Sequence, residues 1–115
     1  MMTLLRVGGL PREPLAAAAQ FYGEALEAIR RALAEAPDHL VIAFDPADYT
    51  HKAWRLAAVQ QLARDHAPVR VNAVAGSDEK AIAAALAYLG TAEGVTGQYL
   101  PLDGNGAAAL LSKNG

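Results

Sequence analysis

The hydrophobic residues of the chain alternate between short continuous runs and longer periodic stretches. Four short runs, closed by glycine, proline or aspartate, predict strands. Three longer stretches repeat apolar side chains every three or four residues, which is the period of an amphipathic helix. In chain order the sequence predicts a strand at 3–7, a helix at 14–36, a strand at 39–44, a helix at 47–65, a strand at 69–75, a helix at 78–90 and a strand at 97–102.

This order predicts an α/β fold, β-α-β-α-β-α-β, in one domain spanning residues 1–115. Parallel neighbouring strands need helical crossovers, so the four strands are expected to form a mainly parallel sheet with three helices. The run from His39 to Phe44 lacks polar alternation, as expected for a strand covered on both faces. The right-handed crossover rule would place all three helices on one face of that sheet.

Local signals mark two ends of the predicted elements. Ser77 is expected to cap the third helix, because Asp78 and Glu79 then fall in its first turn, near the positive end of the helix dipole. A polar turn at Asp103–Gly106 and a small apolar tail are predicted after the last strand.

Composition excludes several classes of function. The formal charge is −2, with 10 basic residues scattered among 12 acidic ones, so no nucleic-acid surface is expected. The chain has no cysteine, and its three histidines are isolated from one another, so no metal site is expected. No apolar stretch approaches the roughly 20 residues of a spanning helix, and the N-terminus lacks a signal peptide's apolar region. We therefore expect a cytoplasmic protein without a membrane partner.

Two segments resemble the short-chain dehydrogenase/reductase family, in particular its 3-oxoacyl-carrier-protein reductases. Residues Lys52 to Gly76 are similar to the family's active-site helix and the strand written VRVNAVAPG, and Val95–Gly104 is similar to its TGQxLxVDGG. Gln20–Gly23 resembles the helix motif NLxG, and Leu40–Asp45 falls where the family has its IVNISS strand. The resemblance covers the C-terminal half of the family and implies a truncated Rossmann-like unit, with the last helix on the opposite face of the sheet. The sequence leaves open which of the two helix arrangements holds.

The resemblance also names NAD(P) as the family's cofactor. The family's glycine-rich turn TGxxxGxG, which receives the cofactor pyrophosphate, is absent from this sequence. Gly8-Gly9 lacks its spacing, and we interpret this pair as a plain turn. The substrate lid is also missing, since Gly76 runs directly into the third helix. No cofactor is therefore expected for the chain alone, and Asn72 and Gly76 are the residues that would contact NAD(P) if it binds.

The catalytic pattern of the family is altered. Its members transfer a hydride with a tyrosine and a lysine four residues later, both on one helix face. Here Tyr49 and Lys52 are three residues apart, and we name them as degenerate catalytic candidates. If Lys52 keeps the lysine position, Asp48 replaces the tyrosine and is expected to form an ion pair with Lys52 on the helix surface. Asp45 stands where the family's serine strand ends, and Gln20 where its asparagine lies.

Three functions follow from these observations. The leading hypothesis is a non-catalytic relative that serves as an oligomeric structural or interaction module, because a sheet without its first strands leaves an edge that another polypeptide must shield. The expected assembly is a homodimer or homotetramer formed through the two long helices and the last helix and strand, with a full-length reductase as another partner. The alternative is an NAD(P)-linked oxidoreductase whose cofactor site is completed by a partner chain. The third is a small-ligand binder that uses the cleft near Asp45, Gly76 and Tyr49.

Overall fold

Four parallel strands form the sheet at the centre of the computed structural model, which describes residues 1–102. The strands are β1 (Met2–Val7), β2 (His39–Phe44), β3 (Arg70–Ala75) and β4 (Tyr99–Pro101), in this order across the sheet. The helices are α1 (Pro14–Gln20), α2 (Leu26–Ala34), α3 (Lys52–Asp65) and α4 (Glu79–Thr91). The predicted Rossmann-like α/β fold is confirmed, while the turn and the tail expected after Leu102 lie outside the described residues.

The first crossover is one continuous helix that widens at its centre. A π-helical turn, Phe21–Ala25, joins α1 to α2, and in it the Leu26 N–H donates to the carbonyl of Phe21. The residues that flank the turn keep right-handed helical angles. The prediction of a single helix is therefore confirmed, but the extra residue of the π turn could not be read from three- and four-residue spacing.

Side-chain alternation along β2 divides the core into two layers. Leu40, Ile42 and Phe44 pack on the face that α2 and α3 cover, whereas Val41 and Ala43 pack on the face that α4 covers. All six residues of β2 are buried. The prediction of a strand covered on both faces is confirmed, because successive side chains of a strand point to opposite faces of the sheet.

Helix α4 lies on the opposite face from α2 and α3. Its buried side chains Ile82, Ala85 and Leu89 pack with Val41 and Val74. The strand order advances across the sheet in one direction, so crossovers on opposite faces have opposite hands. The three connections therefore cannot all be right-handed, and the arrangement implied by the family resemblance is the one observed.

The start of α4 differs from the sequence prediction. Asp78 is the N-cap, and its carboxylate accepts a hydrogen bond from the Lys80 N–H at 3.0 Å. The expectation that Ser77 caps this helix is wrong, because the aspartate one residue later satisfies a free N–H of the first turn. None of the helices within residues 1–102, α4 included, combines the length and the apolar character needed to cross a membrane.

The two edges of the sheet are unequal. β4 is three residues long and carries the exposed Pro101, two features that discourage further strand pairing. β1 is six residues long and contains no proline. Its inner side pairs with β2, and no strand among residues 1–102 pairs with its outer side. The outer side of β1 is therefore the edge that remains open to another chain.

Ala36, two residues after the end of α2, allows a direct test of backbone strain. It has a φ of 53°, a conformation in which the Cβ of an L-residue is crowded. We expect Ala36→Gly to raise the free energy of unfolding by about 1 kcal/mol, because glycine adopts this angle without strain. Urea denaturation measures the change.

Ala34→Gly is the matched control for this substitution. Ala34 is the last residue of α2 and has helical geometry, so the same change there should lower the free energy of unfolding by up to about 1 kcal/mol. Equal effects of the two substitutions would contradict the assignment of strain to Ala36.

Candidate functional site

A cleft of about 330 Å³ opens at the carboxyl ends of β1 and β2. Its walls are the turn after β1, the loop after β2 and the start of α3. Ligands of open parallel α/β sheets bind outside the carboxyl ends of the strands, so the cleft has the expected position of a binding site. The lining residues are Val7, Gly8, Leu10, Pro11, Arg12, Asp45, Pro46, Ala47, Asp48, His51 and Arg55.

The turn after β1 packs directly on Asp45. Gly9 has a φ of 72° and donates its N–H to Oδ2 of Asp45 at 3.3 Å. A Cβ atom built on Gly8 would lie 2.9 Å from the same oxygen. Only glycine fits at residue 8 without displacing the carboxylate, and this contact explains the Gly8-Gly9 pair.

Arg55 is a buried cation in the wall of the cleft. Only 3% of its surface is exposed, and its Cζ lies 4.4 Å from the centroid of the Phe44 ring. Its Nη1 donates to the carbonyl of Asp45 at 3.0 Å and to the hydroxyl of Tyr99 at 3.1 Å. Arg55 thereby ties the loop after β2 to β4, and the aromatic ring stabilises its charge.

Sequence reasoning missed Arg55. The available signal is its position three, four and seven residues before Ala58, Val59 and Leu62, which are all buried on the same face of α3. An arginine in a buried helical stripe is rare, because burying a charge is costly unless it is paired. Such a residue is a candidate for function wherever it lines a cleft.

His51 fixes the rim of the cleft. It is 4% exposed, and its Nδ1 accepts a hydrogen bond from Nε1 of Trp54 at 3.1 Å. Because Nδ1 is an acceptor, the proton lies on Nε2, which donates to the carbonyl of Arg12 at 2.8 Å. The imidazole therefore holds the backbone of Arg12 beside the cleft.

The charges that line the cleft balance. Two arginines, Arg12 and Arg55, and two aspartates, Asp45 and Asp48, belong to the lining. Among residues 1–102, no group of three or more histidine, aspartate or glutamate side chains is arranged to hold a metal ion. The cleft therefore presents isolated charges on an otherwise apolar wall.

Comparison with known proteins identifies the family. A family model described as short chain dehydrogenase-like protein matches residues 5–102, from within β1 to just beyond β4. The chain belongs to the short-chain dehydrogenase-like family. No curated protein and no solved structure matches it. The family match confirms the resemblance that the sequence shows over Lys52 to Gly76 and over the part of Val95–Gly104 that it covers, up to Leu102.

The two candidate catalytic residues of the family pattern lie outside the cleft. Tyr49 is 87% exposed and belongs to a 3-10 turn, and Lys52 is the exposed first residue of α3. Asp48 caps this turn by accepting hydrogen bonds from the N–H of Thr50, at 2.9 Å, and from its hydroxyl. These bonds lower the pKa of the Asp48 carboxyl. The expected ion pair between Asp48 and Lys52 is wrong, since neither residue forms one within the described part of the chain.

Asn72, a predicted cofactor contact, is fully buried on the α4 face of β3. Its Nδ2 donates to Nε2 of His39 and to the carbonyl of Val95, both at 2.9 Å, and its Oδ1 accepts from the N–H of Gln98 at 3.0 Å. Both amide hydrogens of Asn72 are thus used inside the protein. The side chain joins β2, β3 and the segment that leads into β4.

Gly76, the other predicted cofactor contact, lies beneath Leu102. Its N–H donates to the carbonyl of Phe44 at 3.1 Å, and a Cβ atom at this position would lie 3.2 Å from Cβ of Leu102. Neither Gly76 nor Tyr49 lines the cleft, whereas Asp45 does. The structure therefore does not bring the four predicted site residues together.

The helix end beside the cleft does not fit the diphosphate of NAD(P). The helix that follows the Gly8-Gly9 turn has Glu13 as its N-cap, and this carboxylate accepts a hydrogen bond from the Ala16 N–H at 2.6 Å. A negative charge thus already occupies this helix end, whereas phosphates bind at helix N-termini whose N–H groups are free.

His39 is a buried titratable residue at the start of β2. It is 1% exposed, and its Nδ1 has no hydrogen-bond partner among residues 1–102. Burial, together with the nearby charge of Arg70, lowers the pKa of His39 to about 4. Because the unfolded chain binds this proton more tightly, stability is present above the ordinary histidine pKa and is lost as the pH falls towards 4.

We expect the free energy of unfolding to fall by about 2 kcal/mol between pH 7 and pH 5 because of His39 alone. Urea denaturation across this range measures the loss. His39→Gln should remove that part of the pH dependence, whereas His66→Gln, at the partly exposed end of α3, should retain it. An unchanged pH profile in His39→Gln would contradict this assignment.

Proposed function

We propose that the chain is a non-catalytic short-chain dehydrogenase-like protein that acts as an oligomeric structural or interaction module. The observation that carries the proposal is an apolar stripe on the outer side of the first crossover helix. Leu15 is 80% exposed, Tyr22 is 49% exposed, and the exposed Ala19 lies between them. Spacings of four and three residues are typical of the seam between paired helices.

The neighbouring helix supports a contact on the same side. α1 packs beside α3, and α3 carries the exposed small residues Ala53 and Ala57. Small side chains allow the backbones of two helices to approach closely. We call these residues the outer helix surface: Leu15, Ala19, Tyr22, Ala53 and Ala57. A second copy would cover this surface through a two-fold contact in which the same residues meet on both chains.

A second contact is proposed through α4 and β4. Ala83, Ala87 and Gly90 are exposed on α4, again at spacings of four and three residues. Two different two-fold contacts on one chain generate a tetramer, whereas one contact generates a dimer. The placement of α4 on the other face of the sheet keeps the two contacts apart.

The position of the catalytic candidates supports a role without dehydrogenase chemistry. An acid or base must come within hydrogen-bonding distance of the group whose proton it moves. Tyr49 and Lys52 do not line the cleft and are exposed to solvent. Neither residue belongs to the lining that a substrate in the cleft would contact.

The oligomeric state tests this proposal. We expect light scattering after size exclusion to give a dimer or a tetramer at micromolar concentration. Leu15→Glu should raise the dissociation constant of the contact through the outer helix surface about tenfold or more, because it places a charge in an apolar interface. Glu27→Lys, an exposed change on α2 away from the stripe, is the control and should leave the assembly unchanged.

A monomeric wild-type chain across the accessible concentration range would contradict the module. An assembly that survives Leu15→Glu but dissociates in Ala87→Glu would place the principal contact on α4. Circular dichroism of each variant separates loss of assembly from loss of fold.

The open edge of the sheet favours a second candidate, an NAD(P)-linked oxidoreductase completed by a partner such as a full-length reductase. β1 has no neighbour on its outer side within residues 1–102. A groove of about 230 Å³ runs beside it, between Leu5 and the π-helical turn at Glu24 and Ala25. The cleft lies at the carboxyl end of the same strand, where a partner strand could bring a diphosphate site.

Titration of NADPH into the chain distinguishes the two candidates. If the chain is a non-catalytic module, it should give no saturable change in NADPH fluorescence or heat at millimolar cofactor. A mixture of the chain with a full-length reductase should then show only the binding of the reductase itself. Saturable binding by the chain alone, or additional binding sites in the mixture, would support the oxidoreductase. A full-length member of the family is the positive control.

A further inference from the structure

The geometry points to a binding site for a small carboxylate in the cleft, with Arg55 as its principal ligand. This inference concerns a single chain and does not depend on the oligomer proposed above. It rests on three properties of Arg55. The residue is only 3% exposed, it lines the cleft, and its hydrogen-bonding capacity is only partly used.

The charge of Arg55 has no acidic partner within the described chain. The two ion pairs found among residues 1–102 join the N-terminus to Asp38 and Arg6 to Glu79. The ring of Phe44, 4.4 Å from Cζ, compensates part of the charge. A buried arginine without a carboxylate is costly to keep, and an anion bound beside it would remove that cost.

The free donors of Arg55 are the pair that suits a carboxylate. Both hydrogen bonds from Arg55 leave from Nη1, to the carbonyl of Asp45 and the hydroxyl of Tyr99. Nε is buried without a partner, and Nη2 donates to none of residues 1–102. Nε and Nη2 form one side of the guanidinium fork, whose two parallel N–H groups match the two oxygens of a carboxylate. A ligand would meet Nη2 first, and a small shift of the guanidinium towards the cleft would bring the buried Nε into the same contact.

The remainder of the cleft limits the charge and the size of the ligand. Arg12 adds a second cation, and its backbone is held in place by His51 at 2.8 Å. Asp45 and Asp48 offset the two cations, which disfavours a ligand with several negative charges. Their carboxylates already accept hydrogen bonds from Gly9 and Thr50. This balance between two cations and two carboxylates favours a ligand with a single negative charge.

The apolar lining and the volume define the other half of the ligand. Val7, Leu10 and Pro46 contribute to the wall. A cleft of about 330 Å³ falls at the lower end of the range for small-molecule sites. The ligand class is therefore an organic acid with a short hydrocarbon part: the carboxylate meets Arg55 and the hydrocarbon covers the apolar wall.

Butyrate and butyramide are the matched probes, because they differ in charge but little in shape. Amide chemical shifts of Gly8, Gly9 and Asp45 in the full chain report occupancy. We expect saturable shifts with butyrate, no saturable shifts with butyramide, and weaker binding of inorganic phosphate. Butyrate, but not butyramide, should also raise the thermal unfolding temperature, since it binds only the folded chain.

Arg55→Lys is the decisive variant, because it keeps the charge and removes the fork. We expect it to weaken butyrate binding about tenfold or more. Arg12→Gln should weaken binding severalfold, and Arg31→Gln, exposed on α2 outside the cleft, is the control and should leave it unchanged. If Arg55→Lys does not fold, the butyrate and butyramide comparison and Arg12→Gln decide the question.

Four outcomes would overturn the site. These are the absence of saturable butyrate binding at tens of millimolar, equal binding of butyrate and butyramide, wild-type affinity in Arg55→Lys, and wild-type affinity in Arg12→Gln when Arg55→Lys is unfolded. Tighter binding of phosphate than of butyrate would replace the carboxylate assignment by a phosphate site.

Discussion

The need to cover both faces of β2 governs this fold. A parallel strand whose six residues are all buried requires apolar layers above and below it. α2 and α3 supply one layer and α4 supplies the other. The crossover through α4 consequently has the opposite hand to the other two, and the burial of Ile82 and Leu89 stabilises its position. The same arrangement leaves helix surfaces exposed on both faces of the sheet, and β1 has no neighbour on its outer side within residues 1–102.

At the carboxyl end of the sheet, a second constraint is the burial of Arg55. Its guanidinium lies on Phe44 and bonds the loop after β2 to Tyr99 of β4. His51 and Trp54 hold the opposite wall through Arg12. The cleft is thus shaped by hydrogen bonds that also hold elements of the fold together. Substitutions here are expected to affect binding and stability together, which is why a charge-conserving variant and a ligand isostere are informative.

Membership of the short-chain dehydrogenase-like family establishes ancestry and fold, while function depends on the site. The residues that the family pattern singles out have separate environments here. Asn72 is engaged in the buried layer beside His39, Gly76 packs against Leu102, and Tyr49 is exposed. The proposed module uses the outer helix surface and the small exposed residues of α4, whereas the outer edge of β1 favours the second candidate.

The sequence by itself determined the order of strands and helices, the double burial of β2 and the family, because periodicity, glycine and proline signals and motifs are properties of neighbouring residues. It did not determine the π-helical turn, the side of α4 or the roles of Arg55 and His51. Those depend on partners remote in the chain: Tyr99 is 44 residues from Arg55, and Arg12 is 39 residues from His51. Only the tertiary structure brings such groups together, since burial and hydrogen bonding decide whether a charged residue faces solvent or a cleft.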